Sequence, residues 1–342
     1  MTKPATLGLT MGDPAGVGPE IVLKALRDLA PREAAGEFAL VVVGTASCMR
    51  DAAGRLGMPA EISSDGGGWP KVRLIEAAST DAEILPGQLS AEAGRLAFAA
   101  IERAIQLALA GEIDAIVTAP INKEALNKAG YAYAGHTEIL AELTGSKGSC
   151  MMLAHGKLKV THVSTHVALA DVPKRVTPER LRRVFALTHE ACLDLGIEKP
   201  RIGVCALNPH AGEGGLFGRE DQDIVAPVIE EFRARGIAIE GPVPGDTIYV
   251  KALAGQFDAV VAMYHDQGHV AVKTLGFAMD PQTGLMSSLS GVNVTLGLPI
   301  IRTSVDHGTA FDIAGQGIAN AASMIEAIEF AAQMVTARKQ RA

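Results

Sequence analysis

Three histidines carry the first chemical signal. His166 follows the apolar run Lys159–Thr165, His210 the run Arg201–Ala206, and His265 the run Asp258–Met263. Neutral imidazoles are common ligands of divalent metals, and three of them leave open positions for substrate oxygens. Their long spacing carries no local signature such as HExxH, so three hydrogen-bonded structural histidines fit the same pattern. Two carboxylates stand beside these motifs, Asp246 and Asp266. Each is a candidate general base or, equally, a partner that orients a ligand histidine. Arg302 ends another apolar run and offers a fork of donors suited to carboxylate or phosphate, with a structural ion pair as its alternative. Lys273 adds a second cation, and His136 stands in Tyr133-Ala-Gly-His-Thr-Glu138 just ahead of a helix.

Two glycine-rich segments complete the chemical inventory. In Leu9-Thr-Met-Gly-Asp-Pro-Ala-Gly-Val-Gly-Pro-Glu20 a strand enters a turn, and Pro19 starts a helix through Leu29. Such a turn suits an anion, although the spacing matches neither the dinucleotide fingerprint nor the P-loop. A tight structural turn explains it as well. The polar loop Asp306–Asn320 can bring backbone close to a nucleotide, with Asp312 and Asn320 offered to ribose and base.

These residues need strand ends to position them, and the chain has the pattern for it. Short runs nearly continuous in Val, Ile and Leu (Leu7–Thr10, Phe38–Val43, Ala115–Thr118, Pro299–Thr303 and those above) alternate with amphipathic stretches, the mark of an α/β fold with helices on both faces of its sheet. Ser90 caps a helix that stops at Gly111. Thr177-Pro178-Glu179 opens a second, and Asn320–Arg338 forms a last one with a basic C-terminal turn. The run Gly276–Gly291 breaks the rhythm and reads as an inserted hairpin around Asp280-Pro281-Gln282-Thr283-Gly284. At 342 residues about two domains are expected.

Composition narrows the function. There are 31 Lys and Arg against 38 Asp and Glu, a net charge of −7, without basic clusters; that is a poor fit to nucleic acid. No apolar run approaches the ~18 residues of a membrane span. Cys48, Cys150, Cys192 and Cys205 lie far apart without a CxxC pair, so a reduced, cytoplasmic protein is expected.

The segment His307-Gly-Thr-Ala-Phe-Asp-Ile-Ala-Gly-Gln-Gly-Ile-Ala-Asn320 resembles the adenine-ribose loop of isopropylmalate and isocitrate dehydrogenases. Gly12-Asp-Pro-Ala-Gly-Val-Gly-Pro-Glu20, Thr118-Ala-Pro-Ile-Asn-Lys123, Gly135-His-Thr-Glu138, Asn208-Pro-His-Ala-Gly-Glu213, Pro244-Gly-Asp-Thr247, Met263-Tyr-His-Asp-Gln-Gly268 and Ile301-Arg-Thr-Ser-Val-Asp-His-Gly308 resemble, in order, the 4-hydroxythreonine-4-phosphate dehydrogenase family of pyridoxine biosynthesis. The resemblance implies a two-domain isopropylmalate dehydrogenase-like α/β fold, with a cleft between an outer domain (1–125 plus 292–342) and an inner one (126–291). It implies an oxidoreductase: NAD or NADP oxidises a β-hydroxy acid, which then decarboxylates. A divalent metal (Zn, Co or Mg) would be held by His166, His210 and His265 at a homodimer interface. The small anionic substrate would meet His136, Thr137, Lys273, Asn293 and Arg302, and the cofactor would meet His307, Gly308, Asp312 and Asn320. One departure bears on the substrate. Lys273 and Asn293 are separated by the Gly276–Gly291 insertion, where the family has a short loop. Relatives acting on threonate or erythronate 4-phosphate, or on a terephthalate cis-dihydrodiol, are therefore alternatives, with a phosphate acyltransferase more distant.

Overall fold

A computed structural model describes residues 3–279, 281–282 and 286–341. The strands are β1 (Ala5–Thr10), β2 (Phe38–Gly44), β3 (Glu61–Ser63), β4 (Lys71–Glu76), β5 (Ala115–Thr118), β6 (Cys150–His155), β7 (Leu158–His162), β8 (Ile202–Cys205), β9 (Ile239–Val243), β10 (Ala259–Ala262), β11 (Phe277–Met279), β12 (Met286–Leu289), β13 (Val292–Leu296) and β14 (Ile301–Val305). The α-helices are α1 (Gly18–Ala34), α2 (Ala46–Arg55), α3 (Ala91–Leu109), α4 (Lys123–Lys128), α5 (His136–Leu143), α6 (Val172–Arg175), α7 (Pro178–Asp194), α8 (Ala226–Ala234), α9 (Gly245–Leu253), α10 (His265–Gly276) and α11 (Ala322–Arg341). Two compact units result: Met1–Lys147 with Leu298–Thr336, and Gly148–Gly297 with Ala337–Ala342. The limits thus fall near 147 and 297 rather than at 125 and 291. The reason is α5, whose Ile139 and Leu140 are buried in the apolar cluster of Phe98, Ile101 and Ile116. His136 and Thr137 therefore belong to the same unit as Arg302.

The first unit orders its strands β3-β4-β2-β1-β5-β14, all parallel. β5 is buried along its whole length, as a strand covered on both faces must be. Helix α3 begins where Ser90 Oγ accepts the Ala93 N–H at 3.3 Å. Helix α1 outruns the expected end at Leu29 and passes through Pro31. Proline there forfeits one backbone bond, and the helix closes beyond it with Ala35 N–H donating to Pro31 O.

The second unit orders its strands β13-β6-β7-β10-β8-β9. β6 pairs antiparallel with both β13 and β7, whereas β7, β10, β8 and β9 are parallel. Leu153, Val160, Phe257, Val260 and Val272 fill one core beneath them. Helix α7 starts with Thr177 Oγ accepting the Arg180 N–H at 3.3 Å. The basic end of α11 does more than face a helix dipole: Arg338 and Arg341 both pair with the buried Asp194. The expected hairpin is present as β11 paired antiparallel with β12; Asp280, Thr283 and Gly284 lie outside the described residues.

Candidate active site

In the first unit β1, β5 and β14 end side by side, with Thr10 and Ser304 both in register with Thr118. Arg302 is 3% exposed and donates from Nη2 to Thr118 Oγ1 at 2.7 Å. Burial lowers its pKa to about 9, so at neutral pH it stays a cation held away from water. His136 opens α5. Its imidazole is pushed well below the usual histidine range, first by burial and then by the Arg302 charge. Its Nε2 is shut from solvent without a hydrogen-bond partner among the described residues. A buried guanidinium, a neutral imidazole and the first turn of a helix together favour an anion. Thr137, partly buried, shares that first turn.

The loop after β14 is tied down in the same unit. Val17 N–H donates to Thr309 O at 3.0 Å. A Cβ on Gly16 would lie 2.9 Å from Thr309 O, so only glycine lets the two segments approach. The buried Glu20 takes the N–H groups of Gly317 and Ala319, and Lys24 reaches the carbonyls of the same two residues. Neither was singled out by sequence reading, although Glu20 closes the glycine-rich motif. His307 turns Nδ1 to Gly308 O at 2.9 Å, and burial lowers its pKa. Gly308 and Asp312 are exposed, as is Asn320, whose Oδ1 caps α11 at Ala322 N–H.

In the second unit the histidines separate. The His166 and His265 rings lie 5.7 Å apart. His166 sits in the loop beyond β7, not at the strand end, and His265 opens α10. His265 Nδ1 faces Asp266 Oδ1 at 2.6 Å. Asp266 is thus the partner that fixes this imidazole, which leaves Nε2 available for an ion. His210 is exposed, with its ring 6.3 Å from Phe217. Among the described residues no three His, Cys, Asp or Glu side chains converge closely enough to hold a metal ion. His210 stands on the loop after β8. It borders a cavity of about 620 Å³ with Asp246, Asp266, Tyr249 and Gln267.

Sequence reading also passed over two groups beside these ligand candidates. Gln267 ties the two motif loops together: its Nε2 donates to Ala206 O at 2.8 Å and its Oε1 accepts Met263 N–H at 2.7 Å. His269 stacks on His265 with ring centroids 3.6 Å apart, and His162 lies 4.7 Å behind it. The signal for His269 was its spacing of one helical turn from His265.

Comparison with known proteins decides what this constellation belongs to. Residues 37–331 match the family model described as pyridoxal phosphate biosynthetic protein PdxA. The chain belongs to the PdxA family. A Bradyrhizobium diazoefficiens protein provisionally named a D-threonate 4-phosphate dehydrogenase is 60% identical, covering 96% of each chain. The 4-hydroxythreonine-4-phosphate dehydrogenase of Geobacter metallireducens is 45% identical, covering 97% of this chain and 96% of the other. The crystal structure of 4-hydroxythreonine-4-phosphate dehydrogenase from Klebsiella pneumoniae superposes with a TM-score of 0.83 at 42% identity, covering 97% of this chain and 98% of that one. This PdxA-family chain is accordingly a dehydrogenase.

The β11–β12 hairpin connects the elements that carry two expected substrate contacts. Lys273 lies on α10 with Nζ 5.1 Å from the Phe277 ring centroid, and Asn293 lies on β13 opposite Leu153. β11 pairs antiparallel with β12, and Ser290 N–H donates to Gly276 O at 3.1 Å to close the base. In this PdxA-family chain the hairpin closes just before β13 begins.

Proposed function

We propose that this chain oxidises the C3 alcohol of a four-carbon 4-phosphorylated hydroxy acid, with NAD or NADP as hydride acceptor, and that the resulting β-keto acid loses carbon dioxide. The pair of buried Arg302 and half-buried His136, whose Nε2 is shut from solvent, carries this reading. A cation held dry beside a neutral imidazole selects an anionic group and fixes it, which places the reacting carbon. Thr137 at the α5 N-terminus, Lys273 and Asn293 supply further substrate contacts. His307, Gly308, Asp312 and Asn320 form the nucleotide loop braced by Glu20 and Lys24, and the exposed Asp312 suits a ribose hydroxyl. Asp246, beside His210 in the cavity, is the candidate base.

A divalent ion fits the donor set. His166 and His265 are neighbours, Asp266 fixes the His265 tautomer, and His210 supplied by a second copy would complete three neutral nitrogens. Such ligands suit zinc or cobalt better than magnesium, which prefers oxygen. The ion would act as a Lewis acid on the substrate's alcohol and, later, ketone oxygen. A homodimer follows from this sharing and is supported by Leu216, Phe217, Val250 and Val270, all large, apolar and exposed on the second unit. Four free, buried cysteines suit the cytoplasm; among the described residues no helix is long and apolar enough to cross a membrane.

Two substrates fit, 4-hydroxythreonine 4-phosphate and D-threonate 4-phosphate, which differ in carrying an amino or a hydroxyl group at C2. The 60% identity to the Bradyrhizobium protein, against 45% to the Geobacter one, favours D-threonate 4-phosphate. The test is absorbance of reduced nicotinamide with each substrate, with and without added zinc or cobalt. A phosphorylated hydroxyketone is expected from threonate phosphate and a phosphorylated aminoketone from the amino acid. A higher kcat/KM for the amino acid would reverse the preference, and no reduction with either would overturn the reading.

A further inference from the structure

The loop that carries His210 is wound in the wrong hand. His210, Ala211 and Glu213 have φ of 52°, 55° and 42°, and Gly212, Gly214 and Gly215 have 80°, 65° and 102°. Six consecutive residues thus follow a left-handed coil, which L-residues other than glycine avoid because Cβ crowds the following carbonyl. Strain of this kind persists only when the surroundings over-determine it, and they do. The fully buried Asp221 takes Leu207 N–H on Oδ1 at 2.8 Å and Asn208 N–H on Oδ2 at 2.9 Å. Asn208 Nδ2 donates to Glu220 Oε2 at 2.8 Å. Phe217 N–H donates to Gly212 O at 3.1 Å and Leu216 N–H to Glu213 O at 3.2 Å. A side chain on Gly212 would strike Gly218 O at 2.6 Å.

We infer that this clamped left-handed turn is a presentation arm for His210 in metal binding, with Asp221 as the positioning residue that clamps it and the backbone at Ala211 and Glu213 merely carrying the hand of the turn. The inference rests on the reading of His210 as a ligand and deepens it. A right-handed turn of the same length would aim the imidazole elsewhere. An unclamped one would have to be ordered at the moment of binding, which weakens binding.

The hand of the turn can be reversed without touching the core, because Glu213 is exposed. Proline fixes φ near −65°, so Glu213→Pro forbids the coil, whereas Glu213→Gly removes the same carboxylate and permits it. Titration of the purified full chain with zinc or cobalt alone, followed by calorimetry, reads the affinity, and the melting temperature reads the fold. Glu213→Pro is expected to weaken metal binding about tenfold or more, as loss of an orienting contact does, at a nearly unchanged melting temperature. Glu213→Gly should bind as the unmodified chain does. Asp221→Asn, which replaces one acceptor oxygen by a donor, should fall between them. Unchanged affinity in Glu213→Pro, or equal loss in Glu213→Gly, overturns the inference. His210→Ala separates this from the parent reading: if it retains the metal, the ligand assignment itself fails.

Discussion

The Arg302 pocket and the His210 arm solve the same problem, holding a group ready for a ligand, by opposite means. Arg302 is placed by three adjacent parallel strands, is buried to 3% exposure, and reaches Thr118 on the neighbouring strand. Its cost is desolvation, visible in a pKa lowered to about 9. His210 is exposed and owes its position to a strained turn and a buried carboxylate. Its cost is conformational. A dry charge can be held by regular structure alone, whereas an exposed histidine proposed to reach another copy needs its backbone locked.

The comparison breaks first at its open end. His210→Ala should lower kcat/KM by about 10³-fold or more, since loss of the proposed metal would remove its charge stabilisation, and metal content by elemental analysis should fall with it. Near-normal activity with full metal content would remove His210 from the site. Mixing His166→Ala chains with His210→Ala chains sharpens the point, because a site shared between copies leaves one intact site in each mixed dimer; strictly no recovery would count against sharing. Arg302→Ala should be next in size. Losing a charge-assisted contact worth about 2–4 kcal/mol predicts a rise in KM for the phosphorylated acid of roughly 30-fold or more. Arg302→Lys should recover only part, for the fork is lost. An unchanged KM would leave Arg302 a structural residue.

Each unit also buries a group of the opposite proton preference. In the second, burial and then His269 push His162 down to about 3. Its folded value lies below the ~6.5 of an unfolded imidazole. The unfolded chain therefore takes the proton first, and this contribution, complete above about pH 6.5, is lost as pH falls toward 3. In the first, burial raises Asp13 to about 6 despite the N–H of Ala15. The folded chain keeps this proton longer than the unfolded one, so the contribution is present below about pH 3.9 and is lost as pH rises toward 6. Urea unfolding across pH 5 to 8 should show Asp13→Asn stabilised above pH 6.5 by about 1–3 kcal/mol. His162→Gln should flatten the acid limb by up to ~1.4 kcal/mol per pH unit. Slopes of the reverse sign would mean that the two groups are not buried in these states.

Local rules explain why much of this could be read in advance. The strand that holds Arg302 and the strands that precede His210 and His265 are buried along their length, so continuous apolar runs announced them. β3 and β4 alternate exposed and buried residues over short spans, and β6 pairs antiparallel on both sides. β3 and β4 lack that run-length signal, and neither they nor β6, despite its apolar run Cys150–Ala154, was foreseen. The site divides in the same way. The histidines and Arg302 were legible as residue types at the ends of apolar runs. Glu20, Asp221 and Gln267 were not, since each acts through backbone groups brought near only by tertiary structure. The handedness of residues 210–215 was equally hidden, because three of its six positions are not glycine.

The smallest test asks whether the two units respond alike when nothing near the sites is changed. Ser90 and Thr177 each cap a long helix through one side-chain oxygen, with acceptor distances of 3.3 Å in both. Replacing either by Ala should cost about 1 kcal/mol, because one terminal N–H loses its acceptor while the apolar face of the helix stays packed. Ser90→Ala acts on α3, whose Phe98 and Ile101 pack in the same cluster as Ile139 and Leu140 of the helix that begins at His136. Thr177→Ala acts on α7, whose Thr188 Oγ1 meets Thr161 of β7 at 2.7 Å. If the Arg302 pocket is held by regular structure, Ser90→Ala should shift hydrogen exchange in α5 along with α3. If the His210 arm is held by its own clamp, Thr177→Ala should leave exchange at residues 207–217 unchanged. Loss of protection in that loop would show that the arm depends on the general stability of its unit, and the contrast between the two sites would fall.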